Sequence, residues 1–262
     1  MKHYHSTKPI GLKTLCEEIE NTCSKADLYK RCNLRPKHWI VPLDSGSGRT
    51  TLLEYMTDRY KAAGVLDFMC GLDDYLEITL DGTLQQLKQA FAAIDSAAVY
   101  TNEYRNIIGM DISGIAAHLG EVQLTEFLNN CKQVCEHACV VFFVHMNPSR
   151  NEEKLLEKLC ETIDTIKRFT VEPYTQDDLC ALIVKTIEEH GVEIRNASAF
   201  RAVLSDMVSE FDMSGVKDAV SVAKALIPFA DFSGFTPTLD ENALQSVITK
   251  GWQHDAERKE VK

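Results

Sequence analysis

"PLDSGSGRTTLLEYM", residues 42–56, joins a short β-rich run to a helical one through a stretch that carries two glycines. The run before it, "HWIVPL" (38–43), has the branched and aromatic composition of a strand. Gly46 and Gly48 interrupt that pattern, and "TTLLEYMTDRYKAAG" then shows helical period as far as Gly64. Strand, glycine loop and helix, in that order, is the context of a loop that cradles phosphate. Glycines let successive backbone N–H groups turn toward an anion with no side chain in the way, and the first turn of a helix adds amides of partial positive charge. On this reading Ser45, Gly46, Ser47, Gly48, Arg49, Thr50 and Thr51 are the candidate phosphate-binding residues. The Thr50 hydroxyl stands where such loops ligate magnesium. The bland alternative for the same residues is a glycine-rich turn that holds nothing.

Two departures from the usual spacing G-x-x-x-x-G-K-[ST] bear on chemistry: Leu43 replaces the first glycine and Arg49 the lysine. Arginine keeps the charge, but its guanidinium is planar and forked and cannot place a compact ammonium among the outer phosphates.

Outward from the loop, strand candidates alternate with helices. "YLEITL" (75–80), "RNIIGMDI" (105–112), "CVVFFVHM" (139–146) and "RFTVEP" (168–173) read as strands, and "LQQLKQAFAAIDSAA" (84–98) and "VQLTEFLNNCKQVCEHA" (122–138) as helices between them. This alternation implies an α/β fold, a parallel sheet wrapped by helices on both faces. From "YTQDDLCALIVKTIEEHG" onward the strand signal fades, and helices are expected near 176–190, 197–211, 214–230 and 239–254. The expected division is an α/β domain over residues 1–174 with a helical lead-in, a smaller all-helical domain over 175–255, and a mobile tail over 256–262.

A chain of 262 residues with 45% hydrophobic and 26% charged residues has the composition of a globular protein. Its formal net charge of −11 gives no support to a broad grip on nucleic acid, which needs clustered Lys and Arg. No apolar run approaches the roughly 20 residues of a membrane helix. The start "MKHYHSTKPIGLKTLCEEIE" lacks a signal-peptide core, so a cytoplasmic location is expected. The nine cysteines are scattered through segments that otherwise read as apolar helix and strand, the pattern of reduced, mostly buried thiols. Cys131, Cys135 and Cys139 recur at four-residue steps, which on a helix places them on one face, packing beneath it rather than gripping zinc.

The order of elements resembles the AAA+ ATPases, a class of P-loop NTPases, and is nearest to the red-type rubisco activases and their sporulation-protein relatives. The resemblance runs from "PIGLKTLCEEI" to "KALIPF". It implies a nucleotide-binding α/β domain followed by a helical lid, with ATP or ADP and magnesium as ligands. "PIGLKTLCEEI" is similar to the stretch that family places against adenine, which makes Ile10 and Gly11 candidate base contacts. "NIIGMDIS" resembles its second phosphate motif and puts Asp111 where magnesium is held through water; read from the residues alone, Asp111 is equally a turn former at a strand end. The glutamate that activates water in the family is replaced by Ile112. "FFVHMNPSR" resembles the segment that senses the terminal phosphate, with Asn147 in that role or as a turn residue before Pro148. His145 on the same strand is expected in the core.

"MSGVKDAVSVAKAL" resembles the lid segment that brings an arginine over the phosphates, with Lys217 in its place. In "VEPYTQDDLCALI", Thr175 as N-cap followed by Asp177 and Asp178 explains the lid entrance with no ligand. The arginine that the family supplies from a neighbouring subunit has no counterpart in "KLCETIDTIK"; Arg150 and Arg168 are nearby but out of register.

With the loop lysine, the activating glutamate and the trans arginine all replaced, no catalytic residue is assigned, and slow or absent hydrolysis is expected. Glu103 and Glu121 flank the third strand as substitute acids. The leading expectation is a nucleotide-responsive protein that regulates or remodels a protein partner, and that forms a homo-oligomer by analogy with the family. The alternatives are a working ATPase acting on a protein or DNA-replication partner, and a ligand-free interaction scaffold.

Overall fold

The computed structural model describes residues 7–66, 75–79, 106–117, 119–210, 213 and 215–250, with residues 89 and 92. The expected helix over 84–98, apart from residues 89 and 92, lies outside this set, as do Glu103 and the tail over 256–262. The described chain divides into two compact units, Met1–Val171 and Glu172–Lys262.

The first unit opens with helices α1 (Lys13–Ser24) and α2 (Ala26–Arg31), then strand β1 (His38–Pro42) and helix α3 (Arg49–Ala63). Strands β2 (Tyr75–Thr79) and β3 (Asn106–Asp111) follow, then α4 (Glu121–His137), β4 (Ala138–Val144), α5 (Arg150–Thr162) and β5 (Ile166–Arg168). The five strands form one sheet in the order β2-β3-β4-β1-β5. Every pairing in it is parallel. The alternation of strand and helix in the sequence therefore became what it implies, because parallel neighbours need crossover connections. β5 is shorter than its apolar pattern and begins two residues earlier than expected, pairing with His38–Ile40 of β1. Phe169 follows as a packing residue, its ring 4.6 Å from that of Trp39.

All seven residues of β4 are buried, as befits a strand covered on both faces. Ile40, Met110, Phe142 and Val144 pack toward α4 and α5 with Phe127 and Leu155. Alternation turns Trp39, Val41 and Phe143 to the other face. There Gly109 of β3 lets α3 settle close, since a Cβ at that position would collide with Leu53 and press on Phe143. Each large apolar side chain buried in this way contributes about 1.5–3 kcal/mol.

Cys131 and Cys135 belong to that core, under α4 as expected. Cys139 does not share their helix, because α4 ends at His137 and Cys139 falls in β4. Burial pushes all three thiols up, Cys139 to about 12, which disfavours the thiolate that zinc requires.

The second unit contains α6 (Gln176–Glu189), β6 (Glu193–Ile194), α7 (Ala197–Glu210), α8 (Val216–Leu226), β7 (Thr238–Leu239) and α9 (Glu241–Lys250). Its own core gathers Leu179, Ile183, Phe200, Leu204, Ala223 and Leu244. Among its described residues the helices are accompanied by the two-residue parallel pairing of β6 with β7 and an antiparallel bridge between Asp231 and Thr238. At the head of α6 the Thr175 hydroxyl accepts from the Asp178 amide at 3.2 Å, and the Asp178 carboxylate accepts from the Thr175 amide at 3.0 Å. Among the described residues no helix is long and apolar enough to cross a membrane.

Candidate functional site

Between β1 and α3 the chain turns through two left-handed glycines, Gly46 at φ 81° and Gly48 at φ 88°. Only glycine takes this conformation without steric cost. Gly48 is the N-cap of α3 and has no side chain to offer, so the helix begins without a side-chain cap and without an acidic residue in its first turn. The first helical bond runs from the Leu52 amide to the Gly48 carbonyl at 2.9 Å. The amides of Arg49, Thr50 and Thr51 thus have no acceptor within the helix. Ser45 and Gly46 are exposed at the tip of the loop, and the Ser47 amide closes it on the Asp44 carbonyl at 3.1 Å. The Asp44 carboxylate accepts from the Met146 amide at 3.2 Å, which ties the loop to the end of β4.

Arg49 does not extend toward solvent. Its side chain is 6% exposed and curls beneath the loop. There Nε donates to the Leu43 carbonyl at 2.5 Å, and the guanidinium lies 5.1 Å over the Phe143 ring. Nη1 forms an ion pair with Oδ2 of Asp111, itself only 13% exposed. The other oxygen of Asp111 accepts from the amide and the hydroxyl of Ser113, at 3.1 Å and 2.5 Å. Both oxygens of this carboxylate are therefore engaged, one by a buried cation and one by the turn that follows β3. Ile112, at the position after Asp111, is fully buried, and its amide donates to the Phe143 carbonyl.

Thr50 takes a different partner. Its hydroxyl donates to Oε2 of Glu77 on β2 at 2.9 Å. Glu77 was missed by sequence reasoning, although it is the one charge inside the apolar run "YLEITL", and Ser113 was missed although Asp-x-Ser is a common side-chain turn.

The other sequence candidates occupy other turns, helix starts and strand ends. Asn147 is exposed between β4 and α5. Ile10 and Gly11 form a half-buried turn before α1, with Gly11 at φ 76°. Lys217 is exposed in the first turn of α8, in the second unit. Glu121 opens α4. Arg150 is an exposed first-turn residue of α5. Arg168 pairs with Glu153 at 2.7 Å beside a hollow of about 220 Å³ lined also by Pro42, Val144 and Met146.

His145 is not in the core. β4 ends one residue before it, and its side chain is 51% exposed with Nδ1 2.7 Å from Oε1 of the buried Glu152. Alternation misplaced it because the period of the strand stops where the pairing stops.

Sheet order, glycine loop and helical second unit together define the fold as that of the AAA+ P-loop ATPases. Among solved structures the chain is similar to a RuvB variant of Thermotoga maritima, at 16% identity and a TM-score of 0.55, over 92% of this chain and 70% of that one. It is also similar to PCH-2 of C. elegans, at 14% identity and a TM-score of 0.53, over 88% of this chain and 66% of that one. Both are AAA+ ATPases. No protein-family model matches the chain, and no curated protein matches it.

Proposed function

We propose that this chain is an AAA+-like nucleotide-binding protein that takes ATP or ADP at the loop over Ser45–Thr51 and hydrolyses it slowly or not at all. The observation that carries the proposal is the uncapped head of α3, where three consecutive amides stand without an intrahelical acceptor behind two left-handed glycines. An anion satisfies those amides and meets the positive end of the helix dipole. Ile10 and Gly11 are the proposed base contacts, and Asn147 and Lys217 the proposed sensors of the phosphates. The motifs quoted above, and they alone, support kinship with the red-type rubisco activase group.

Weak hydrolysis follows from what the centre lacks. Arg49 spends its charge on Asp111, and Ile112 can neither accept a proton nor polarise water. Phosphoryl transfer depends on charge placed at the outer phosphate, and an arginine there can be worth several powers of ten in rate. Nucleotide then acts as a switching ligand, biasing conformations that differ in their affinity for a protein partner. The feature that supports such a partner is the segment after α8, which exposes Phe229, Phe232 and Phe235.

Magnesium is the ion the fold implies. The donor set at Asp111 does not suit it, since both oxygens are taken and a guanidinium already neutralises the charge. Thr50 and Glu77 do suit it, as hard oxygen donors of the kind magnesium prefers. When bound with the nucleotide, the ion supplies charge compensation between the outer phosphates.

One observation favours a second reading, a scaffold that keeps the fold without a ligand: the Arg49–Asp111 pair satisfies itself with nothing bound. Thermal melting with and without Mg-ATP separates the two. A ligand at 100 times its dissociation constant adds about 2.7 kcal/mol, and an unchanged melting temperature at saturating nucleotide would overturn nucleotide binding in favour of the scaffold.

A further inference from the structure

We infer that Glu77, rather than Asp111, is the acidic residue on the metal side of this site, an inference that rests on the nucleotide-binding proposal above. A hydroxyl that coordinates magnesium through a lone pair must send its proton elsewhere. The Thr50 proton already has a destination, Oε2 of Glu77 at 2.9 Å. That arrangement leaves the Thr50 oxygen free to face a cation and holds an anionic carboxylate next to it. Asp111 is denied the role by its own partners. Its Oδ2 meets a guanidinium that is 6% exposed, and drawing it toward a second cation would break a buried pair.

The fold explains how β2 can take over. β2 lies beside β3 in parallel register, with Glu77 opposite Gly109 and Thr79 opposite Asp111. At Gly109, which has no side chain, Leu53 of α3 presses close against the sheet. Next to it a glutamate on β2, longer than an aspartate by one methylene, reaches the first turn of α3 at Thr50. Tyr75 of the same strand face reaches Glu54, one helical turn further along α3, at 3.4 Å. The contact at Thr50 is thus part of a continuous β2–α3 seam.

Among the described residues no group of three or more His, Cys, Asp or Glu could hold a metal. The ion accordingly comes with the nucleotide, its phosphates supplying further ligands, and Glu77 contributes only in the presence of both.

The test is calorimetric titration of ADP into the full chain, in excess magnesium and in EDTA, for wild type and Glu77→Gln. Glutamine keeps an oxygen that can accept from Thr50 but removes the charge. The expected result is that magnesium tightens ADP binding to wild type, and that Glu77→Gln loses about tenfold or more of this enhancement while its affinity in EDTA does not fall and its melting temperature stays at the wild-type value. Equal enhancement in wild type and Glu77→Gln overturns the inference, and so does a wild type whose affinity ignores magnesium. If ADP binds in neither buffer, nucleotide binding itself has failed and the inference falls with it, a pattern distinct from the other two. Asp111→Asn, checked for folding by circular dichroism, gives the reciprocal result: the magnesium enhancement persists.

Discussion

Helices α3 and α5 both start at the carboxyl edge of the sheet, after the adjacent strands β1 and β4, yet they finish their first turns in opposite ways. Any helix leaves its first amides unpaired. α5 answers that need from its own sequence: Ser149 accepts from the Glu152 amide at 3.3 Å, the Glu152 carboxylate accepts from the Ser149 amide at 2.7 Å, and Glu152 and Glu153 place negative charge in the first turn. α3 answers it with nothing. Its N-cap is a left-handed glycine, its first turn carries no acid, and its first side chain, Arg49, folds away under the loop. One helix head is closed by the protein itself, and the neighbouring one carries no side-chain cap, as the proposed nucleotide site requires. What sets the proposed site apart from a stop signal is the missing cap, a property that glycine content alone does not reveal.

The largest effect that can break this contrast concerns the ion pair beneath α3. Arg49→Met removes the cation and leaves Asp111 largely buried with Ser113 as its remaining partner. Stranding one member of a buried pair costs about 3–5 kcal/mol, and urea unfolding measures it directly. Replacing both members by apolar residues in one chain should recover much of that loss, since such replacements are often neutral. If Arg49→Met costs less than removing an ordinary helix cap, the arginine is a surface cation after all and the site is not organised beneath the loop.

A slightly smaller effect acts on the unit as a whole and fixes the baseline for both helix heads. His38 opens β1, at the end of that strand away from the loop, 3% exposed, with Nδ1 accepting from the Val140 amide at 3.2 Å. Burial, with the charge of Arg35 adding to it, pulls its pKa down from 6.5 to about 4. Between those values the unfolded chain binds a proton that the folded chain does not, so stability is fully present above pH 6.5 and declines as pH falls toward 4. The contribution is roughly 3 kcal/mol across that window. His38→Gln keeps an acceptor for Val140 and should flatten this part of the stability–pH curve. A slope unchanged by the substitution would assign the acid sensitivity elsewhere.

How much of this was legible beforehand follows from the range of each interaction. The parallel sheet and the glycine loop were readable because strand periodicity and loop composition are local properties, spelled out within a dozen residues. Thr175 as a cap was readable for the same reason, since its partner is three residues away. Arg49 was singled out as unusual, but its destination was not readable: Asp111 lies 62 residues on, and only the β1-β4-β3 order brings the two together. Glu77 is 27 residues from Thr50 on the edge strand, and nothing in "YLEITL" says which helix its one charge will meet. His145 and Cys139 went astray at element ends, where a periodic pattern continues in the sequence after the pairing or the helix has stopped.

The smallest effect sharpens the contrast most, because it acts on the closed head alone. Ser149→Ala deletes the acceptor for the Glu152 amide and should cost about 1 kcal/mol by urea unfolding. Glu152 would keep its bond to His145, so the loss is limited to the cap. The substitution should leave ADP affinity where it was, since the anion proposed for α3 is held by amides that Ser149 does not touch. A shift in ADP affinity would mean that the two heads communicate, and the connection on which to look for it is the Asp44–Met146 bond that joins the loop before α3 to the segment before α5.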